Sequence, residues 1–229
     1  MAPSRSYDDG CATAYALDIV GERWGLLIVR ELLLGPKRFT DLRADLPGVS
    51  PTVLSQRLRE FVRAGVTDRR RLPPPVSSHV YELTEWGYKL EPVIHTLGGW
   101  ALQSPDPPRR PPQSVDANVL SLRVMFDPVA AAGRTVRFVL SIGPRRYRVC
   151  IVDGELDLAR GGLDQPDAVI DTDIRTLHAY LCRTRSLRET LRQGDFHVRG
   201  SMAAVAELPS LFCPVRHRAP APSPSAARG

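Results

Sequence analysis

Between Ser50 and Arg71 the chain carries six arginines, Arg57, Arg59, Arg63, Arg69, Arg70 and Arg71, against two acids, Glu60 and Asp68, a local net charge of +4. Guanidinium groups at this density suit one chemistry above others: forked donation to phosphate oxygens and to the acceptor edges of bases. Ser50, Thr52, Ser55 and Gln56 stand just ahead of them, and hydroxyls and carboxamides contact the same groups. Three consecutive cations, Arg69 to Arg71, repel one another without an anionic partner. Arg57 and Arg63 read equally well as solvated charges on a helix face. Arg38 either joins the anion-facing set or pairs with Asp41 or Asp45.

Whole-chain charge does not carry this reading. The 229 residues have a formal net charge of +6, but residues 1–104 hold 13 Lys+Arg against 12 Asp+Glu, and residues 105–229 hold 18 against 13. Basicity is therefore a local property of the first half. Only Lys37 and Lys89 are lysines, and Pro totals 21, a composition that also suggests a GC-rich coding bias.

Other chemistries find little support. Cys11, Cys150, Cys182 and Cys213 are scattered, with no paired Cys or Cys/His spacing for a metal. His79, His95, His178, His197 and His217 lack a nucleophile or carboxylate partner at recognisable spacing. No catalytic set, metal site or cofactor loop emerges, so the chain reads as a non-enzyme without a cofactor. The start, MAPSRSYDDG, has no apolar signal core, and no run is long enough to span a membrane. The expected location is the cytoplasm, with no membrane partner.

These residues need elements to position them. Ala12–Leu34 has apolar residues at helical spacing and is divided at Gly21. Thr40 is an N-cap candidate for a short helix to Leu46. Ser50-Pro51 opens a helix to Arg63, with Val53, Leu54, Leu58, Phe61 and Val62 facing its core and Gly65 at its end. Val66–Leu72 and His79–Leu83 read as a hairpin across the proline-rich loop 73–78. Thr84 is expected to cap one long helix carrying Leu90, Val93, Ile94, Leu97 and Trp100. Trp24 and Trp100 read as core or interface packing. The stretch 103–114, with five prolines, reads as a semi-rigid spacer. Beyond it, Val119–Phe126, Thr135–Ile142, Arg146–Val152, Gly154–Leu158 and Pro166–Asp171 are strand candidates. Ile174–Cys182, Ser186–Arg192 and Ser201–Leu211 are helix candidates, and Phe196–Val198 is a last short strand. The expected organisation is a first domain over 1–102, a linker over 103–114, a second domain over 115–213 and a disordered tail over 214–229.

The segment LDIVGERWGLLIVRELLLGPKRFTDLRADLPGVSPTVLSQRLREFVRAGV, with Cys11 before it and YELTEWG after it, closely resembles the HxlR family of bacterial, MarR-like winged helix-turn-helix regulators. The resemblance covers about residues 11–102. It implies a homodimer joined by terminal helices, with two recognition helices reading a pseudo-palindrome in double-stranded DNA. The recognition helix would be 50–63 and the wing 66–83, with DNA contacts from Arg38, Ser50, Thr52, Ser55, Gln56, Arg57, Arg59, Arg69, Arg70 and Arg71. Direct repression is the commoner expectation for this family. The proline-rich wing loop departs from the family pattern and puts wing contacts in question. Cys11 stands where the family commonly carries a cysteine that serves some members as a redox or electrophile sensor; a small buried hydrophobe is the other reading.

Asn118–Phe212 resembles the sterol carrier protein type 2 family through its strand meander, PDAVIDTDIRTLHAYLCRTRS, LRETLRQGDFHVRGS and AVAELPSLF. That implies an α/β sandwich with an apolar cavity for a hydrophobic effector, whose lining residues the sequence does not identify. The fold class expected for the whole chain is α+β. Three functions stay open: a regulator whose second domain senses a hydrophobic ligand, a lipid carrier whose first domain mainly dimerises, and a regulator whose second domain is an interaction module.

Overall fold

In the computed structural model, residues 6–73, 78–106 and 114–212 are described. The tip of the proline-rich hairpin loop, most of the spacer, the expected tail, Cys213 and His217 lie outside the described residues. The chain divides into two compact units, Met1–Leu120 and Ser121–Gly229, so Ser114–Leu120 belongs with the first unit.

The first unit runs α1 (Ala12–Val20), α2 (Gly25–Leu32), α3 (Phe39–Asp45), α4 (Pro51–Ala64), β1 (Thr67–Arg71), β2 (His79–Leu83), α5 (Glu85–Tyr88) and α6 (Glu91–Leu102). This is a winged helix-turn-helix: α3 and α4 form the helix pair, and the antiparallel β1–β2 hairpin forms the wing. The break between α1 and α2 falls at Gly21, as the sequence indicates, and Trp24 enters α2 with a left-handed φ of 78°. The core is aliphatic and close-packed: Ile28, Val29 and Leu32 of α2 are fully buried, as are Leu42, Leu54 and Leu58.

Local chemistry fixes α4 at both ends. The Ser50 hydroxyl accepts from the Val53 amide and Pro51 opens the first turn, where a missing N–H costs nothing. Gly65 closes the helix at φ 74°, a left-handed conformation that glycine adopts without a Cβ clash. Thr84 then ties wing to helix, donating to the Gly65 carbonyl at 2.7 Å and accepting from the Gly87 amide at 3.0 Å. A Cβ at Gly87 would lie 2.1 Å from the Val66 carbonyl oxygen, so only glycine allows this approach.

Several elements differ from expectation. Thr40 lies inside α3, because Arg38 is extended and its carbonyl accepts the first helical bond from Leu42. Val53 and Val62 are 37% and 39% exposed, since they flank the stripe formed by Leu54, Leu58 and Phe61 and do not lie within it. The long helix after Thr84 is two helices broken at Lys89-Leu90; Pro92 lacks the N–H that would carry the ladder across. Val119–Phe126 is not a strand. Val115–Met125 is helix α7, with Ser114 accepting from the Ala117 amide at its start. The aliphatic run there fits either period, and the hydroxyl at its head favours the helix.

The division between units falls within α7. The second unit continues β3 (Thr135–Ile142), β4 (Arg145–Val152), β5 (Glu155–Arg160), β6 (Ala168–Thr172), α8 (Ile174–Leu181), α9 (Leu187–Arg192), β7 (Phe196–Gly200) and α10 (Met202–Leu211). Its sheet has the order β5-β4-β3-β6-β7. β6 runs parallel to β3 and the other pairs are antiparallel. Leu140 pairs with Tyr147 on one side and Ile170 on the other, all three fully buried. Pro209 interrupts α10. It has no N–H for the Val205 carbonyl, and the Tyr180 hydroxyl donates to that oxygen instead at 2.6 Å. Burial pushes the Tyr180 phenol up to about 12, so it remains a donor at neutral pH. The chain is thus α+β overall, and no described helix is long and apolar enough to cross a membrane.

Candidate nucleic-acid interface

One face of α4 is polar along its length. Thr52, Gln56, Arg59 and Arg63 follow one another at three- and four-residue spacing opposite Leu54, Leu58 and Phe61, and all four are exposed. Arg59 donates to Ser55 Oγ at 3.0 Å, and Gln56 donates to Glu60 Oε1 at 3.0 Å. These i,i+4 bonds hold the side chains extended along the helix surface. Arg63, for which the sequence leaves both an anion-facing and a solvated reading, shares this stripe; its four-residue spacing from Arg59 is the signal.

Arg57 does not join them. It stands three positions after Leu54, on the flank of the buried stripe. Its guanidinium pairs with Glu60 at 2.6 Å and Glu22 at 3.7 Å, with only 17% of the side chain exposed. Arg57 is thus neither a solvated face charge nor part of the exposed stripe: its guanidinium is engaged within the unit. The Ser50 hydroxyl accepts at the helix cap, which leaves its O–H to donate. Arg38 is exposed at the head of α3; of its two expected partners, Asp45 is buried on Lys37 and Asp41 accepts from Thr40.

The wing presents its three arginines on an exposed strand. Arg69 lies opposite Tyr81, with the guanidinium 6.0 Å from the ring centroid, which aims the cation through stacking. Arg70 pairs with Glu82 at 2.6 Å. Arg71 is exposed opposite His79 at the outer end of the hairpin. Lys37 forms an isolated antiparallel bridge with Tyr81, which supports β2 on its other edge.

Cys11 is exposed at the N-cap of α1, which removes the buried-hydrophobe reading. The backbone N–H of Ala14, then that of Thr13 and the Thr13 hydroxyl, hold its thiol below the ordinary range. Burial pushes the Cys150 and Cys182 thiols up. Trp100 is 71% exposed, so core packing does not account for it. In the second unit, an open crevice of about 530 Å³ has a mixed lining, with Arg183, Arg185 and Glu189 beside Leu187, Ala206 and Pro209.

Residues 19–107 match the family model described as HxlR-like helix-turn-helix. YvaP of Bacillus subtilis, an uncharacterized HTH-type transcriptional regulator, is 40% identical over 92 residues, which is 40% of this chain and 85% of YvaP. The HTH-type transcriptional regulator YodB of the same organism is 35% identical over 92 residues, covering 40% of this chain and 82% of YodB. Among solved structures, the reduced form of YodB covers 43% of this chain and 97% of its own, at 33% identity and a TM-score of 0.39.

Proposed function

This chain belongs to the HxlR-like helix-turn-helix family, and from that premise we propose that it is a transcriptional regulator that binds double-stranded DNA. The recognition helix is α4, read at base edges through Thr52, Gln56 and Arg59. Arg38, Ser50, Ser55, Arg63 and the wing arginines Arg69, Arg70 and Arg71 contact phosphates. Arg57 is left to hold α4 through Glu22 and Glu60. The observation that carries the reading is the exposed polar stripe on α4 beside a strand with three exposed arginines, on a unit whose overall charge is close to neutral. A charge pattern confined to two adjacent elements fits groove and backbone contact better than general surface solubility.

The regulator acts as a homodimer on a pseudo-palindromic operator, as a repressor. An apolar band supports the association: Tyr15 and Leu17 of α1, Trp86 of α5, and Val93, Leu97 and Trp100 of α6 are 43–71% exposed. No residue of α6 with a described side chain is buried. Apolar patches of this kind on folded proteins mark association surfaces. Cys11, exposed and with a depressed thiol, is assigned as a redox sensor. The second unit is assigned as a sterol-carrier-like module that senses a hydrophobic effector; its strand meander followed by helices supports this.

Nuclease footprinting on the DNA upstream of the chain's own gene, with and without a hydrophobic cell extract, tests the reading. The expected result is a two-fold protected site whose occupancy changes with the extract. Binding that is sequence-blind and lost with salt would overturn the operator reading. Non-reducing electrophoresis after mild oxidation tests Cys11; no Cys11-dependent dimer band and no change in DNA binding would remove the sensor assignment.

A further inference from the structure

Among the described residues of the first unit, Lys37 holds three buried ion pairs. Its side chain is almost wholly buried, and its Nζ lies 2.7 Å from Glu31 Oε2, 2.6 Å from Asp45 Oδ2 and 2.7 Å from Asp116 Oδ2. Glu31, Lys37, Asp45 and Asp116 are all less than 8% exposed. The three carboxylates offer oxygens within 4.8 Å of one another, the spacing of a cation site, and the cation among them is the Lys37 ammonium. Arg30 pairs with the other oxygen of Glu31 at 2.8 Å, and Ser114 Oγ donates to Glu31 Oε2 at 2.8 Å.

These partners come from separate elements. Glu31 is on α2, Asp45 ends α3, and Ser114 and Asp116 open α7 after the proline-rich stretch. Lys37 itself exchanges two backbone hydrogen bonds with Tyr81 of the wing, at 2.9 and 2.8 Å. One residue therefore ties α2, the supporting helix α3, the wing strand β2 and the head of α7 together. Asp116 lies beyond residue 107, where the family match ends.

Stability alone is a poor reason for such a cluster. Burying ions costs desolvation that their attraction recovers only with good geometry, and a packed apolar group often does as well. What a buried ion cluster does impose is direction: each carboxylate must point at one ammonium, and a missing partner leaves charge stranded.

We propose that Asp116, from beyond the proline-rich stretch, is a positioning residue for the DNA-contacting elements: through Lys37 it fixes α3 and β2 on α2. The DNA part of this statement rests on the regulator reading above; the structural part does not. The winged-helix unit accordingly needs Ser114–Asp116 as part of its working body.

Amide hydrogen exchange on the full chain, comparing wild type with Asp116→Asn, tests the structural part without DNA. The Lys37 and Tyr81 amides and those of α3 are expected to exchange about tenfold faster, with α1 and α4 little changed. Binding to a labelled duplex spanning the upstream DNA is expected to weaken about tenfold at fixed salt. Unchanged exchange at Lys37 and Tyr81 overturns the proposal. So does acceleration spread evenly over α1 to α6, which would mark general destabilisation. Should Asp116→Asn fail to fold, Ser114→Ala removes the hydrogen bond onto Glu31 together with the cap on the Ala117 amide. Faster exchange confined to Lys37, Tyr81 and α3 then supports the proposal, and unchanged exchange rejects it. If wild type shows no preference for the upstream duplex, the operator reading fails while the exchange result still decides the positioning role.

Discussion

Arg59 and Arg71 occupy different environments and should fail differently. Arg59 lies on the outward stripe of α4, where a guanidinium can meet a base edge. Arg59→Ala is expected to cost about 1–3 kcal/mol on specific DNA and to relax preference at one operator position. Arg71 is a strand cation at the end of the wing, suited to phosphate. Arg71→Ala should weaken specific and non-specific binding alike and lower the salt slope by about 1. Salt titrations on operator and scrambled duplexes check both; equal loss on both duplexes for Arg59→Ala would reassign it to the backbone. Arg70 already holds Glu82, so its removal forfeits less than its charge suggests. Cys11 has its own signature. Its thiol is depressed by the Ala14 and Thr13 amides, whereas burial raises Cys150 and Cys182. Thiolate therefore forms at lower pH at Cys11 than at the other two. A pH series of limited iodoacetamide labelling read by mass spectrometry should show Cys11 modified first, with its rate rising at the lowest pH. Equal rates at the three sites would contradict this.

Two joints hold the elements, one in each unit. At Gly87 any side chain meets the Val66 carbonyl, so Gly87→Ala should cost about 1–3 kcal/mol by overpacking and loosen the hairpin from α5. At Tyr180 the hydroxyl serves the Val205 carbonyl that Pro209 abandons. Tyr180→Phe leaves that buried oxygen without its donor and should destabilise the second unit by about 1–3 kcal/mol. Thermal or urea unfolding measures both, and a Tyr180→Phe chain as stable as wild type would rule out this role for the hydroxyl. The first joint shows how far the sequence can be read. Ser50, Pro51 and Gly65 announce both ends of α4, because caps are local chemistry. The flank position of Arg57 is also local, set by its three-residue distance from Leu54. α7 is harder, since its aliphatic run suits helix or strand and its capping Ser114 is the last residue of a proline-rich stretch. The Lys37 cluster is not legible at all. Its members lie in four separated segments, and nothing in the spacing of Glu31, Asp45 and Asp116 says that they converge on one ammonium.

At the scale of the molecule, the exposed apolar residues of α1, α5 and α6 are the surface through which the proposed homodimer would form. Leu97 and Trp100 are 46% and 71% exposed, and covering a side chain of this size contributes about 1.5–3 kcal/mol. Leu97→Asp with Trp100→Glu should therefore yield a monomer by light scattering and lose binding to a two-fold site. A dimer of unchanged stability would move the interface elsewhere. Because no described side chain of α6 is fully buried, its exposed face remains available for pairing, and pairing would create the two-armed reader. Below the concentration at which chains would pair, the amount of that reader would grow with the square of protein level, so doubling expression would raise operator occupancy by up to about fourfold. Any gene under such an operator would then answer steeply to the regulator's dosage before an effector or oxidant is present.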